Sequence, residues 1–159
     1  MVVGMMRTRR AGFSLIELVI VIAILGILAA VAVPRMSRGA AGATSSRLRA
    51  DLSTMRSAIE LYYAEHNNTY PAVADFENAL VNQYTDVDGN LNATKTGVFI
   101  YGPYLKEVPT IQVGPQKGNN GVAAADAAGI AWLYNETTGV ITPNTGTATD
   151  DTGTLYSTY

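Results

Sequence analysis

The chain has no cysteine and a single histidine, His66, among its 159 residues. Without a thiol there is no disulfide framework, no cysteine nucleophile and no thiolate metal centre, and one imidazole cannot build a multi-histidine site. Also missing are a nucleophile elbow, a P-loop, a dinucleotide-binding glycine pattern and a zinc motif, so no catalytic constellation is legible and the chain reads as a non-enzyme. Charge is scarce: 15% of the residues are charged, against about a quarter in an ordinary globular domain. What the chain has in quantity is apolar surface, 48% of its residues, and that surface is segregated.

The charge is segregated as well, which the net value of −2 conceals. Residues 1 to 56 carry eight arginines against Glu17 and Asp51, a net of +6, and residues 57 to 159 carry three lysines against eleven acids, a net of −8. Halves of opposite sign imply two environments, or like molecules stacking head against tail.

Leu18 to Val33 is sixteen residues without a polar side chain, and extension back to Phe13 gives 21 residues interrupted only by Ser14 and Glu17. As a helix this stretch spans about 31 Å, the thickness of a bilayer's hydrocarbon core. Arg7, Arg9 and Arg10 precede it and hold the amino terminus in the cytoplasm by the positive-inside rule, although Arg35 and Arg38 follow on the far flank. A secretory signal peptide cut after Ala30-Val31-Ala32, or a plain signal anchor, competes with this reading; a carboxylate at Glu17 and a proline at Pro34 fit the signal peptide poorly.

Beyond Pro34, Gly39 and Gly42 a helical period resumes. Leu48, Leu52, Met55, Ile59 and Tyr62 are spaced 4, 3, 4 and 3, the pattern of one buried helix face. With Pro34 as a kink, one bent helix from Phe13 to Glu65 is expected, roughly 80 Å long, whose first half must meet lipid or other subunits. His66 to Pro71 is a polar stop. A short helix is expected over 75–84, a turn-rich stretch over 86–97, and strands over 98–101 and 131–134, the latter joined by a hairpin to 140–142. The Thr-, Gly- and Asp-rich tail after Pro143 has little to bury and is expected to be mobile unless a metal or a neighbour fixes it.

Gly12-Phe13-Ser14-Leu15-Ile16-Glu17, with its basic leader and the apolar run behind it, resembles the prepilin signature of type IV pilins and type II secretion pseudopilins. The segments 61–71 (LYYAEHNNTYP), 102–109 (GPYLKEVP) and 132–139 (WLYNETTG) resemble the major pseudopilins of type II secretion, and the absence of cysteine agrees, since many type IV pilins staple their carboxy-terminal region with a disulfide. The resemblance implies an α+β, type IV pilin-like fold: a long amino-terminal helix, transmembrane in its first half, packed on a small antiparallel sheet. Its domains would be a leader peptide at 1–12, a transmembrane and filament-core helix at 13–34, an amphipathic helix half at 35–66 and a small α+β head at 67–159.

The resemblance further implies cleavage between Gly12 and Phe13 by a prepilin peptidase, amino-methylation of Phe13, and a mature chain of 147 residues whose net charge falls from −2 to −5. Implied partners are other copies of the chain in a homopolymeric filament, the peptidase, an inner-membrane assembly platform and minor pseudopilins. Implied locations are the bacterial inner membrane, single-pass with a cytoplasmic amino terminus, and a periplasmic pseudopilus after assembly. A type IV pilin displayed outside the cell is the nearest alternative, and a monomeric membrane-anchored binding module a more distant one. Glu17 has a physical argument of its own. A carboxylate in a membrane helix costs about 2.5 to 3.5 kcal/mol on insertion scales, and the amine freed at a neighbour's Phe13, at about 4 Å, would attract it by about 4 kcal/mol at an effective dielectric near 20. Glu17 would thus set assembly register. The competing reading is that it snorkels to the headgroups.

Asp86, Asp88 and Asn90 place three oxygen-bearing side chains at alternate positions, and Asp150 and Asp151 add carboxylates near the end. Major pseudopilins have a carboxy-terminal calcium site, so Ca2+ at these five residues is an expectation of the resemblance. Against it, Gly89 is misplaced for an EF-hand and Gly97 stands where its bidentate glutamate would fall, leaving a solvated turn as the other reading. Arg35, Arg38, Arg47, Arg49 and Arg56 are expected to face acidic surfaces of adjacent subunits rather than nucleic acid.

Overall fold

Leu48, Leu52, Met55, Ile59 and Tyr62 are all buried, so the spacing read from the sequence is the face by which the first helix enters the core. The computed structural model describes the backbone of residues 12–159 and the side chains of 12–30 and 42–159. Helix α1 runs Leu15–Glu65, continuous through Pro34, and the kink expected of that side chain lies outside the described residues. The chain divides into two units, one ending at Gly39 and the other Ala40–Tyr159.

In the second unit α1 stops where Asn67 and Asn68 turn left-handed, with φ of 51° and 57°, a conformation that asparagine tolerates better than most residues. The Asn68 N–H reaches back to the Tyr63 carbonyl at 3.1 Å and satisfies one of the helix's last acceptors. His66 continues the buried stripe one turn past Tyr62 and stacks on its ring at 3.7 Å. Its Nδ1 donates to the Tyr62 carbonyl at 2.7 Å, and its Nε2 shares a hydrogen bond with the Thr85 hydroxyl at 2.8 Å.

A second helical stretch starts as a 3₁₀ turn at Val73–Asp75 and widens to a π turn at Asn78–Asn82, which displaces the expected helix two residues towards the amino terminus. It cannot run on to Tyr84 because the Leu80 carbonyl is occupied by the N–H groups of Tyr104 and Leu105, at 2.9 and 2.8 Å. Tyr84–Thr85 instead forms strand β1, antiparallel to β2 at Leu91–Asn92. The strand expected over 98–101 does not form. Thr96 pairs with Phe99 in its own tight turn and only Tyr101 bridges to Thr85, leaving Val98 and Ile100 exposed.

The other sheet is mixed where an antiparallel one was expected. β3 (Gly121–Ala123) is parallel to β4 (Ile130–Tyr134), which is antiparallel to β5 (Ile141–Pro143). A parallel return ordinarily needs a long crossover, but β3 has three residues, so the six residues between β3 and β4 suffice to double back. As the central strand β4 buries Ala131, Trp132 and Tyr134. The polar tips of the two aromatics are satisfied: the Trp132 indole N–H donates to the Pro109 carbonyl at 2.8 Å and the Tyr134 hydroxyl to that of Pro71 at 3.0 Å. The hairpin expected between β4 and β5 is present, with Asn135 Oδ1 accepting from the N–H groups of Thr137 and Thr138.

The tail departs most from expectation. Asn144, Thr145, Asp150 and Tyr156 are buried. The Tyr156 hydroxyl lies 3.2 Å from Ser45 Oγ on α1, and Arg56 donates to the main-chain oxygens of Ile141 and Tyr159 at 3.2 and 2.9 Å. The helix itself supplies the fixture that the sequence left to a metal or a neighbour.

Candidate functional site

The junction and the helix behind it form one exposed apolar surface. Gly12 has no heavy atom within 4 Å of where a Cβ would lie, Phe13 is 82% exposed, and every large apolar side chain from Phe13 to Leu28 is solvent-facing. A helix that is apolar on all sides is stable only against lipid or other apolar helices. Among the described residues no helix is long and apolar enough to cross a membrane, the described apolar side chains of this run ending at Ala30.

Glu17 turns back on its own helix start: the Ser14 N–H donates to Glu17 Oε2 at 2.8 Å, while the N–H groups of Glu17 and Leu18 donate to the Ser14 carbonyl at 3.1 and 3.3 Å. A serine followed three residues later by a glutamate is the sequence pattern of a capping box, in which the acid satisfies a donor the helix cannot. That local role is absent from a reading of Glu17 as a membrane charge alone, and Ser14-Leu15-Ile16-Glu17 is the signal that carries it.

The five residues expected to hold calcium do not converge. Thr85, next to Asp86, bonds His66, and Asp150 pairs with Arg49; on α1 these helix positions are about 25 Å apart. Among the described residues no group of three or more acids and histidines gathers to hold a metal. Asp86 Oδ1 accepts from the N–H groups of Asp88 and Asn90 at 3.0 and 2.9 Å, and Oδ2 from the Asn90 side-chain amide at 2.8 Å. These hydrogen bonds, that of the Asn90 side chain foremost, hold its pKa below the usual carboxylate value. Asn90 therefore presents an N–H where a calcium ligand would present an oxygen.

Asp150 is more completely enclosed. Its Oδ1 accepts from the Thr152 N–H, the Thr152 hydroxyl and the Thr154 N–H at 2.8, 2.7 and 2.9 Å. Its Oδ2 accepts from the Tyr159 hydroxyl at 2.5 Å and lies 3.8 Å from an Arg49 guanidinium nitrogen. Led by the Tyr159 hydrogen bond, these contacts hold the Asp150 pKa far below the usual range, and the same bond raises that of Tyr159. Calcium requires six to eight oxygen lone pairs. This carboxylate faces hydrogens and a guanidinium, Asp151 is exposed, and the set does not fit the ion.

Of the arginines expected to seek neighbours, three find partners inside the chain: Arg47 with Asp51 at 3.6 Å, Arg49 with Asp150, and Arg56 with main-chain oxygens. The side chains of Arg35 and Arg38 lie outside the described residues.

Residues 7–33 match the family of the prokaryotic N-terminal methylation motif. The type II secretion system core protein G of Aeromonas hydrophila is 32% identical over 105 residues, 66% of this chain and 68% of that protein. The protein of the same name from Pseudomonas aeruginosa is 33% identical over 105 residues, 66% of this chain and 69% of the relative, and that of Pectobacterium carotovorum is 34% identical over 77 residues, 48% and 49%. No solved structure matches the chain. A methylation-motif start, an exposed apolar helix and a head fastened to that helix's second half converge with relatives of which the chain covers two thirds: it belongs to the core protein G family, the major pseudopilins of type II secretion.

Proposed function

We propose that the protein is a structural subunit of a pilus-like filament, the major pseudopilin of a type II secretion system, and works by packing rather than by catalysis. The observation that carries this is the stretch from Phe13 to Leu28, apolar and exposed on every side, directly behind a prepilin-type junction. Such a surface has two stable environments, lipid and a bundle of identical helices, and a filament subunit passes from one to the other. The sequence from Phe13 to Val33 is long enough for the first, and the three arginines before it orient the anchor with its amino terminus inside.

In this reading a prepilin peptidase cuts between Gly12 and Phe13 and the new amine of Phe13 is methylated. Glu17, which caps its own helix through Ser14 in the isolated subunit, then meets the amine of a neighbour and sets the register of the growing filament. The assembly platform that lifts subunits from the inner membrane and the minor pseudopilins that start the filament are further partners of this reading. Support comes from the position of Glu17 in the first turn of the helix, inside the apolar run and five residues from the end that cleavage would create. Glu17→Ala tests it: the variant is expected to insert in the membrane and be processed but to form no filaments under overexpression, and normal filaments would remove the register role.

A further inference from the structure

We propose that the carboxy-terminal loop of this subunit is closed by a protein-only clasp of Asp150, Tyr159 and Arg49, and keeps its fold without a calcium ion. The family resemblance leads to the opposite expectation, and the donor set at Asp150 decides against it. A carboxylate offers about four lone-pair directions. At Asp150 the Thr152 N–H, the Thr152 hydroxyl and the Thr154 N–H crowd Oδ1, while Oδ2 accepts from the Tyr159 hydroxyl and otherwise faces Arg49, with side-chain exposure reduced to 3%. An ion at a calcium–oxygen distance would have to displace these donors, and two of them are main-chain N–H groups that cannot turn round to offer a lone pair.

The positive charge that an ion would bring is already supplied. Arg49 lies 3.8 Å from Asp150 Oδ2 and stacks over the Tyr159 ring at 4.2 Å, so it touches both halves of the clasp from α1. A divalent cation on Asp150 would be repelled by that guanidinium. The mechanical task is also met: the bridge between Thr149 and Leu155 closes the loop, and the bond of Tyr156 to Ser45 holds it against the helix.

The test is thermal unfolding of the full chain in detergent, followed by the fluorescence of buried Trp132, with chelator and with millimolar calcium. Coincident midpoints are expected for the unaltered chain. Arg49→Met and Asp150→Asn should each lower the midpoint by the same amount in both conditions, and each should speed proteolysis within residues 144–159. A midpoint of the unaltered chain that falls with chelator and is restored by calcium would overturn the proposal, as would saturable calcium uptake by that chain in equilibrium dialysis. Should either variant fail to fold, the comparison on the unaltered chain still decides, because it requires no substitution.

Discussion

Ile59→Ala measures how far the second half of α1 belongs to the head. Ile59 is fully buried among Met55, Tyr62 and the residues of the head core. Truncation removes three carbons at about 0.8 kcal/mol each and leaves a cavity whose lining relaxes only in part, so the loss should be about 3 kcal/mol, within the 2 to 5 observed for such changes. For a folding unit the size of residues 40–159, each kcal/mol corresponds to roughly 4 °C, and the midpoint should fall by about 12 °C. The assay is near-ultraviolet circular dichroism of the full chain in detergent, where the buried Trp132 and Tyr134 report on head packing. Leu25→Ala, at an exposed position of the first unit, is the control and should leave the midpoint in place. A shift under about 3 °C for Ile59→Ala, or equal shifts for the two variants, would mean that this stripe is not the floor of the head core.

Acid should loosen the tail before the rest of the head. The Asp150 pKa is depressed in the folded chain, so its stabilisation is complete above the ordinary carboxylate value of about 3.9 and is lost as pH falls below it towards the folded value. Hydrogen exchange of Thr152 and Thr154 should therefore rise in that window, and Asp150→Asn should abolish the dependence. Gly139→Ala should cost at least about 1 kcal/mol in urea unfolding, because Gly139 has a φ of +70° and the Tyr70 ring stands where the added methyl would go; a neutral result would mean that the β4–β5 turn rearranges freely. Tyr134→Phe should cost about 1 to 3 kcal/mol by stranding the Pro71 carbonyl, read from the same unfolding curves, with no change expected in leader processing.

Much of this arrangement was legible in the residues, and the exceptions have physical causes. The buried face of α1 announced itself because five apolar side chains repeat at helical spacing, and the methylation-motif start because its signature is contiguous. The β4–β5 hairpin was legible from its own turn residues. The tail was not, because its contacts are to side chains about a hundred positions earlier: Asp150 to Arg49, Tyr156 to Ser45, Tyr159 to Arg56. The end of the second helical stretch was hidden for the same reason, being set by Tyr104 and Leu105 claiming the Leu80 carbonyl. The stretch 98–101 looked like a strand from composition, but Phe99 pairs within its own turn with Thr96 and only Tyr101 bridges to another segment, at Thr85. At Glu17 the signal was present, as serine and glutamate three apart, and a strong membrane argument for the same residue obscured it.

Whether this chain is processed into a filament subunit is decided by intact-mass and amino-terminal peptide analysis of the protein from cells with an active prepilin peptidase. The expected product is a chain of 147 residues beginning at methylated Phe13, recovered in sheared filaments as well as in the membrane. An intact leader on protein from those cells, with no filament-associated form, would rule out a filament subunit.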